Sequence, residues 1–120
     1  MNSPRLTGLV AATHTPFHPD GSLRLGVVEQ QAEHLLRQGV RFAFIGGTTG
    51  ESHSLSLEER CQLSQRWLEV TRGTPLKVIV HVGSNCLADA RVLAAQAQQL
   101  SAAAIAALAP SHFKPRTLDA

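Results

Sequence analysis

Short, mostly apolar runs alternate along this chain with amphipathic stretches of helical length, and that alternation constrains the fold more tightly than any other feature of the sequence. Val40-Arg41-Phe42-Ala43-Phe44-Ile45 and Leu76-Lys77-Val78-Ile79-Val80-His81-Val82 are the clearest runs, the second dominated by β-branched residues that suit a pleated strand. Residues 6–13 form an earlier run, ending in His14-Thr15-Pro16-Phe17 and the turn-rich Pro19-Asp20-Gly21-Ser22, which predicts a buried first strand. Residues 102–109 are too rich in alanine to be assigned by propensity and take the place of a fourth strand by their position in the series.

The intervening stretches read as helices. Between residues 23 and 38, Leu25, Val28, Ala32, Leu35 and Leu36 recur at helical spacing opposite Arg24, Glu29, Glu33 and Arg37, and Gly39 closes the segment. A second helix starts near Ser56, where Ser56-Leu57-Glu58-Glu59 has the spacing of a capping box, and continues through Leu63, Trp67 and Val70. A third fills the alanine-rich interval from Leu87 to Leu100, and Pro115-Arg116-Thr117-Leu118-Asp119-Ala120 reads as the start of a fourth. Trp67 and Phe44 lie on apolar faces and are expected in the core. Strands and helices in strict alternation make an α/β fold with a parallel sheet; a doubly wound sheet and part of a (β/α)8 barrel both fit. Each repeat takes roughly 30 to 35 residues. The 120 residues therefore hold about four parallel strands (near 6–13, 40–45, 76–82 and 102–109) and three helices, half of a barrel that needs about 250 residues.

Charge and composition exclude several classes of partner. The formal charge is +2 and the eleven basic side chains are scattered from Arg5 to Arg116, so no basic stripe offers itself to nucleic acid. No apolar run approaches the ~20 residues of a membrane helix. The segment Met1-Asn2-Ser3-Pro4-Arg5-Leu6 has no apolar stretch long enough for an export signal, so a cytoplasmic location is expected. Cys61 and Cys86 fall in helical segments, far from any C-x-x-C spacing, and are given no role. The six histidines include no i, i+4 pair flanking a carboxylate, so neither a metal nor another cofactor is expected.

Chemistry concentrates in the loop after the second strand, Gly46-Gly47-Thr48-Thr49-Gly50-Glu51. Glycines let backbone approach a ligand, and two adjacent hydroxyls with free amides near a helix N-terminus can cradle an anion, most naturally a carboxylate. A tight polar turn would use the same residues. The order of the loops adds weight: Thr15-Pro16-Phe17 follows the first strand, Gly47-Thr48-Thr49-Gly50-Glu51 the second, His81-Val82-Gly83 the third, and Ala109-Pro110-Ser111-His112-Phe113-Lys114-Pro115 the fourth. That succession, over residues 6–118, resembles the N-acetylneuraminate lyase and dihydrodipicolinate synthase family.

The resemblance implies a TIM barrel, usually a homotetramer, that acts as a class I aldolase or lyase by forming a Schiff base between a lysine and pyruvate or a related 2-oxo acid. It assigns the pyruvate carboxylate to Thr48 and Thr49, loop shaping to Gly47 and Gly50, and a structural part to Glu51. His81-Val82-Gly83 and Phe113-Lys114-Pro115 look more like the sialic-acid lyases, and Ser111-His112 stands where dihydrodipicolinate synthases carry paired tyrosines. The family's catalytic tyrosine ends the fifth strand and its lysine the sixth. This chain has no tyrosine and is expected to stop before strands five to eight, so it is expected to be inactive alone. Lys77 opens the third strand on the face opposite such sites and Lys114 lies in a solvated loop, which makes both poor substitutes. His81 is read as a packed histidine near the catalytic face, and His53 and His112 are left without a role. A non-catalytic half-barrel that binds small carboxylates, or that covers its open edges by self-association, is the alternative from another class.

Overall fold

The computed structural model describes residues 5–119. Met1–Pro4, read above as carrying no export signal, and Ala120, the last residue of the expected fourth helix, lie outside the described residues. The elements run β1 (Val10–Ala12), α1 (Gly26–Arg37), β2 (Phe42–Ile45), a 3-10 turn (Ser52–Ser54), α2 (Leu57–Thr71), β3 (Lys77–His81), α3 (Leu87–Gln99) and β4 (Ala104–Ala106).

Local chemistry sets the helix ends. Ser56 Oγ accepts from Glu59 N at 3.1 Å while Glu59 Oε1 accepts from Ser56 N at 2.9 Å, so both halves of the capping box form. At the end of α1, Gly39 turns left-handed at φ +72°; its N–H donates to Leu36 O and that of Val40 to Leu35 O, the paired closure of a Schellman motif.

The sheet order β1-β2-β3-β4 follows the chain, and every pairing is parallel. A doubly wound sheet reverses its strand order and carries helices on both faces. Here the order never reverses, and α1, α2 and α3 contribute Val28, Ala32, Leu63, Trp67, Leu93 and Ala97 to one core with Ala43, Ile45, Val78 and Val80 of the sheet. This is the arrangement of consecutive units of a (β/α)8 barrel. Period-2 alternation sends the intervening residues Phe42, Phe44, Ile79 and His81 to the opposite face, which in a barrel is the interior. Trp67 is fully buried, whereas Phe44, expected in the core, is half-buried on that inner face.

Three expectations need correction. The first and fourth strands were expected over residues 6–13 and 102–109, but each contracts to three residues, and Leu9, Val10, Ile105 and Leu108 are 74, 48, 52 and 61% exposed. Each of these strands pairs along one side only, so its ladder ends where the single neighbour ends. Cys86 is the exposed N-cap of α3 and not an interior helical residue. Residues 115–119 form bends and a turn in place of a helical start, because a first turn fixes several dihedrals for one hydrogen bond and needs further packing to persist. Among the described residues no helix is long and apolar enough to cross a membrane.

Candidate functional site

Where β2 ends, Gly46 turns left-handed at φ +67° and sends the chain across the C-terminal end of the sheet. The loop then closes on its own backbone: Glu51 N donates to Thr48 O at 3.0 Å and Ser52 N to Gly47 O at 3.1 Å. Glu51, itself left-handed at φ 60°, orders the loop through its backbone. Two glycines are required by contact. A Cβ on Gly47 would lie 2.5 Å from Phe44 Cε1, and one on Gly50 would lie 3.1 Å from Gly46 N and 3.2 Å from Thr13 O. Beneath the loop, the buried Thr15 hydroxyl donates to Gly50 O at 2.6 Å and ties the segment after β1 to it.

Thr48 and Thr49 sit exposed at the crest of this turn. Among the described residues their backbone N–H groups and hydroxyls have no protein partner, so four donors remain for a ligand. They border a cavity of 260 Å³ completed by Gly47, Gly50, Ala12, Phe44, His81 and Leu108. That volume falls just below the ~300–1,000 Å³ of pockets for drug-sized ligands and suits a small one. The wall is apolar apart from His81 and the threonines, with no acid or cationic side chain. One element of the sequence reading is refined here: the loop leads into a short 3-10 turn whose N-cap is Glu51, and not directly into α2. The 3-10 turn intervenes, and the first turn of α2 is already closed by Ser56 and Glu59.

His81 ends β3, 4% exposed, with both ring nitrogens engaged. Nε2 accepts from Leu108 N at 3.2 Å, which requires the proton to sit on Nδ1, 3.0 Å from Gly46 O. Arg60 Nη2 approaches Nδ1 at 3.3 Å but cannot donate to a protonated nitrogen; it donates to His81 O at 2.7 Å, while Nη1 donates to Gly83 O at 2.8 Å. Burial holds the His81 pKa below its ordinary 6.5, with Arg60 and His53 adding to the depression and the bond to Gly46 opposing it. The imidazole is accordingly neutral at physiological pH. Burial also lowers the Arg60 pKa from its ordinary value, an effect that Asp89 opposes.

Among residues singled out from sequence, Thr48, Thr49, Gly47, Gly50 and His81 come together at this cavity. His53 does not: it is exposed and lines a separate 230 Å³ hollow with Arg60, Cys86 and Asp89. His112 is exposed after β4, its ring edge-on to Phe113 at 4.5 Å. Lys77 lies at the opposite end of the strands, beside a 610 Å³ groove that it shares with Arg5 and Arg72, and Lys114 is exposed. Sequence reasoning quoted Thr15 without giving it a role and passed over Arg60 and Asn85, whose Oδ1 accepts from Ser111 N at 2.8 Å and joins the loops after β3 and β4. Only the position of Thr15 and Asn85 just past strand ends hinted at them.

A singly wound parallel sheet whose C-terminal loops border a small polar-rimmed cavity defines part of a (β/α)-barrel protein. The profile of the Dihydrodipicolinate synthetase family matches residues 5–119, and the chain belongs to that family. It is 47% identical to N-acetylneuraminate lyase B of Xenopus laevis over 97% of this chain and 44% of that protein. The structure of Proteus mirabilis N-acetylneuraminate lyase superposes with a TM-score of 0.91 at 40% identity, covering 97% of this chain and 39% of that one. Dihydrodipicolinate synthase from Aquifex aeolicus follows at TM-score 0.86 and 28% identity, over 92% of this chain and 37% of that one. The chain thus spans about two fifths of the length of these relatives.

Proposed function

We propose that this chain forms the carboxylate-binding part of a pyruvate-dependent lyase of the N-acetylneuraminate lyase type, which cleaves a 2-oxo sugar acid to pyruvate and an aldehyde through a Schiff base. One observation carries the reading: Thr48 and Thr49 present two hydroxyls and two unpartnered amides at the rim of a 260 Å³ cavity at the C-terminal ends of parallel strands. Free donors at the rim of a cavity with no carboxylate in its lining suit an anion, and the Ala12, Phe44 and Leu108 wall suits the carbon skeleton of a small 2-oxo acid. The 47% identity to a named N-acetylneuraminate lyase supports that branch over the dihydrodipicolinate synthases, as does Ser111-His112 in the loop after β4. No lysine lines the cavity, so the reading takes the imine-forming amine, and the tyrosine that moves protons beside it, from strands beyond β4. A homotetramer, a cytoplasmic setting in which Cys61 and Cys86 stay free thiols, and chemistry without a cofactor belong to the same proposal.

The test is a chimera that joins residues 1–120 to the remainder of the Proteus mirabilis enzyme. Replacing Thr48 or Thr49 by valine keeps shape and removes one hydroxyl donor to a charged ligand, a loss of about 1.5–3 kcal/mol. Calorimetry should show pyruvate affinity falling roughly ten-fold or more for each variant. Unchanged affinity in both would remove the threonines from the site.

A further inference from the structure

His81 lines the cavity, and the simplest role for a histidine beside an anion site is a positive charge. Its bonds rule that out in this geometry. Both nitrogens are already committed, Nδ1–H to Gly46 O and Nε2 to Leu108 N, so a protonated ring would lose the Leu108 bond and set a second cation beside Arg60. The fit around the ring is close: a Cβ on Gly83 would lie 2.7 Å from Nε2 and 3.0 Å from Leu108 N, so glycine leaves the bond its room. One anchored point, Gly46, directly precedes Gly47 of the cavity lining at the root of the threonine loop, and the other, Leu108, lines the cavity itself.

The geometry points to His81 as a positioning residue, a neutral clasp that joins the threonine loop to the segment after β4 and holds the carboxylate cradle closed, and that releases it on protonation. The inference rests on the proposed role of Thr48 and Thr49 as the cradle. Arg60 of α2 and His53 of the 3-10 turn are the charged and titratable groups that face the ring, with Asp89 of α3 behind Arg60; β2 and the segment after β4 present only backbone to the nitrogens. Burial and Arg60 both disfavour the imidazolium, so release falls below the ordinary 6.5, where pyruvate is still an anion. The sign is diagnostic: a clasp makes anion affinity fall on acidification, whereas a histidine that contacts the anion directly makes it rise.

The experiment follows the 120-residue chain by NMR, with Val10→Lys and Ile105→Lys on its open edges to keep it monomeric, reading the His81 ring nitrogens and the Gly46 and Leu108 amides from pH 8 to pH 5, with pyruvate as the titrant. At pH 8 the ring should show its proton on Nδ1. As it titrates, both amides should shift together, and pyruvate affinity should fall by about ten-fold, the size expected when the donors lose their alignment. His53→Gln should keep the sign of this profile and move its midpoint only slightly upward, because His53 is the weakest of the groups that depress the ring. His81→Asn, which keeps a donor to Gly46 and loses the bond to Leu108, should bind pyruvate with little dependence on pH, and His81→Phe should bind at least ten-fold more weakly at pH 8 while circular dichroism confirms the fold. A ring protonated on Nε2 at pH 8, affinity that rises on acidification, or a folded His81→Phe that binds like the parent would each overturn the clasp. If the parent chain binds no pyruvate at any pH, the cradle reading fails alone, and the ring tautomer with the linked Gly46 and Leu108 shifts still decides the clasp.

Discussion

Gly50 has backbone on two sides, Gly46 N and Thr13 O, and backbone cannot step aside for a methyl group as the tip of a side chain can. Gly50→Ala should therefore destabilise the fold by roughly 1–3 kcal/mol, the range for overpacking a tight site. Gly26→Ala is the matched control, since nothing lies within 4 Å of a Cβ at the first residue of α1, and it should be neutral or mildly stabilising. Urea midpoints compare the two directly, and equal midpoints would show that the loop gives way more easily than its contacts suggest. At this scale the sequence disclosed what is local. Gly47-Thr48-Thr49-Gly50 could be read as a possible anion loop because its glycines and hydroxyls are contiguous. His81 reads from sequence as packed near the catalytic face and is so, but its partners were not legible, because Gly46 and Leu108 lie 35 and 27 residues away and Arg60 lies at a separation of 21. Whether a strand-end histidine packs or binds is decided by such partners, and no spacing rule encodes them.

The two ends of helix chemistry make opposite predictions at the scale of the element. Ser56 caps α2 with its side chain and Glu59 reciprocates, so Ser56→Ala should cost about 1 kcal/mol. At the end of α3, Ser101 holds φ 60°, with its N–H donating to Gln98 O and that of Ala102 to Ala97 O, the same closure that Gly39 provides for α1. A non-glycine pays steric strain there, so Ser101→Gly should stabilise by about 0.5 kcal/mol, which is the strain relieved less the extra freedom glycine gains when unfolded. Thermal melts of the two variants should move in opposite directions; a shift of the same sign for both would show that the α3 closure is not strained. The capping box and Gly39 were visible in the sequence because capping uses residues three or four apart. The extents of β1 and β4 were not, because a strand is only as long as the neighbour it pairs with, and Val10–Ala12 and Ala104–Ala106 each have one. The choice between doubly wound and barrel also lay beyond the pattern, since both use the same alternation and only strand order separates them.

As a whole molecule the chain is an open shell, 45 × 43 × 23 Å, with 8,048 Å² of accessible surface, whereas a compact monomer of its mass exposes about 6,300 Å². That openness bears first on chemistry. Without a lysine at the cavity, the chain should form no imine: incubation with pyruvate and borohydride, which reduces an imine to a stable secondary amine, should leave the intact mass unchanged. A stoichiometric adduct on Lys114 would show that a loop amine can serve, and one on Lys77, at the far end of the strands, would contradict the register of the sheet. The same openness bears on assembly. β1 and β4 each leave one side of the ladder unpaired, and Leu9, Val10, Ile105 and Leu108 stand between 48 and 74% exposed along those edges. Exposed parallel edges beside apolar surface favour pairing with another chain, and few charges guard them: the strands themselves carry none at either edge. Isolated in solution, the 120-residue chain should self-associate, with the sedimentation coefficient rising over the micromolar range. Lysine at both Val10 and Ile105 places a charge on each edge strand and should shift the population toward monomer without loss of helical signal, because neither residue belongs to the buried core. A parent chain that sediments as a monodisperse monomer and melts cooperatively at high temperature would show that the open edges are not the adhesive surfaces argued for here.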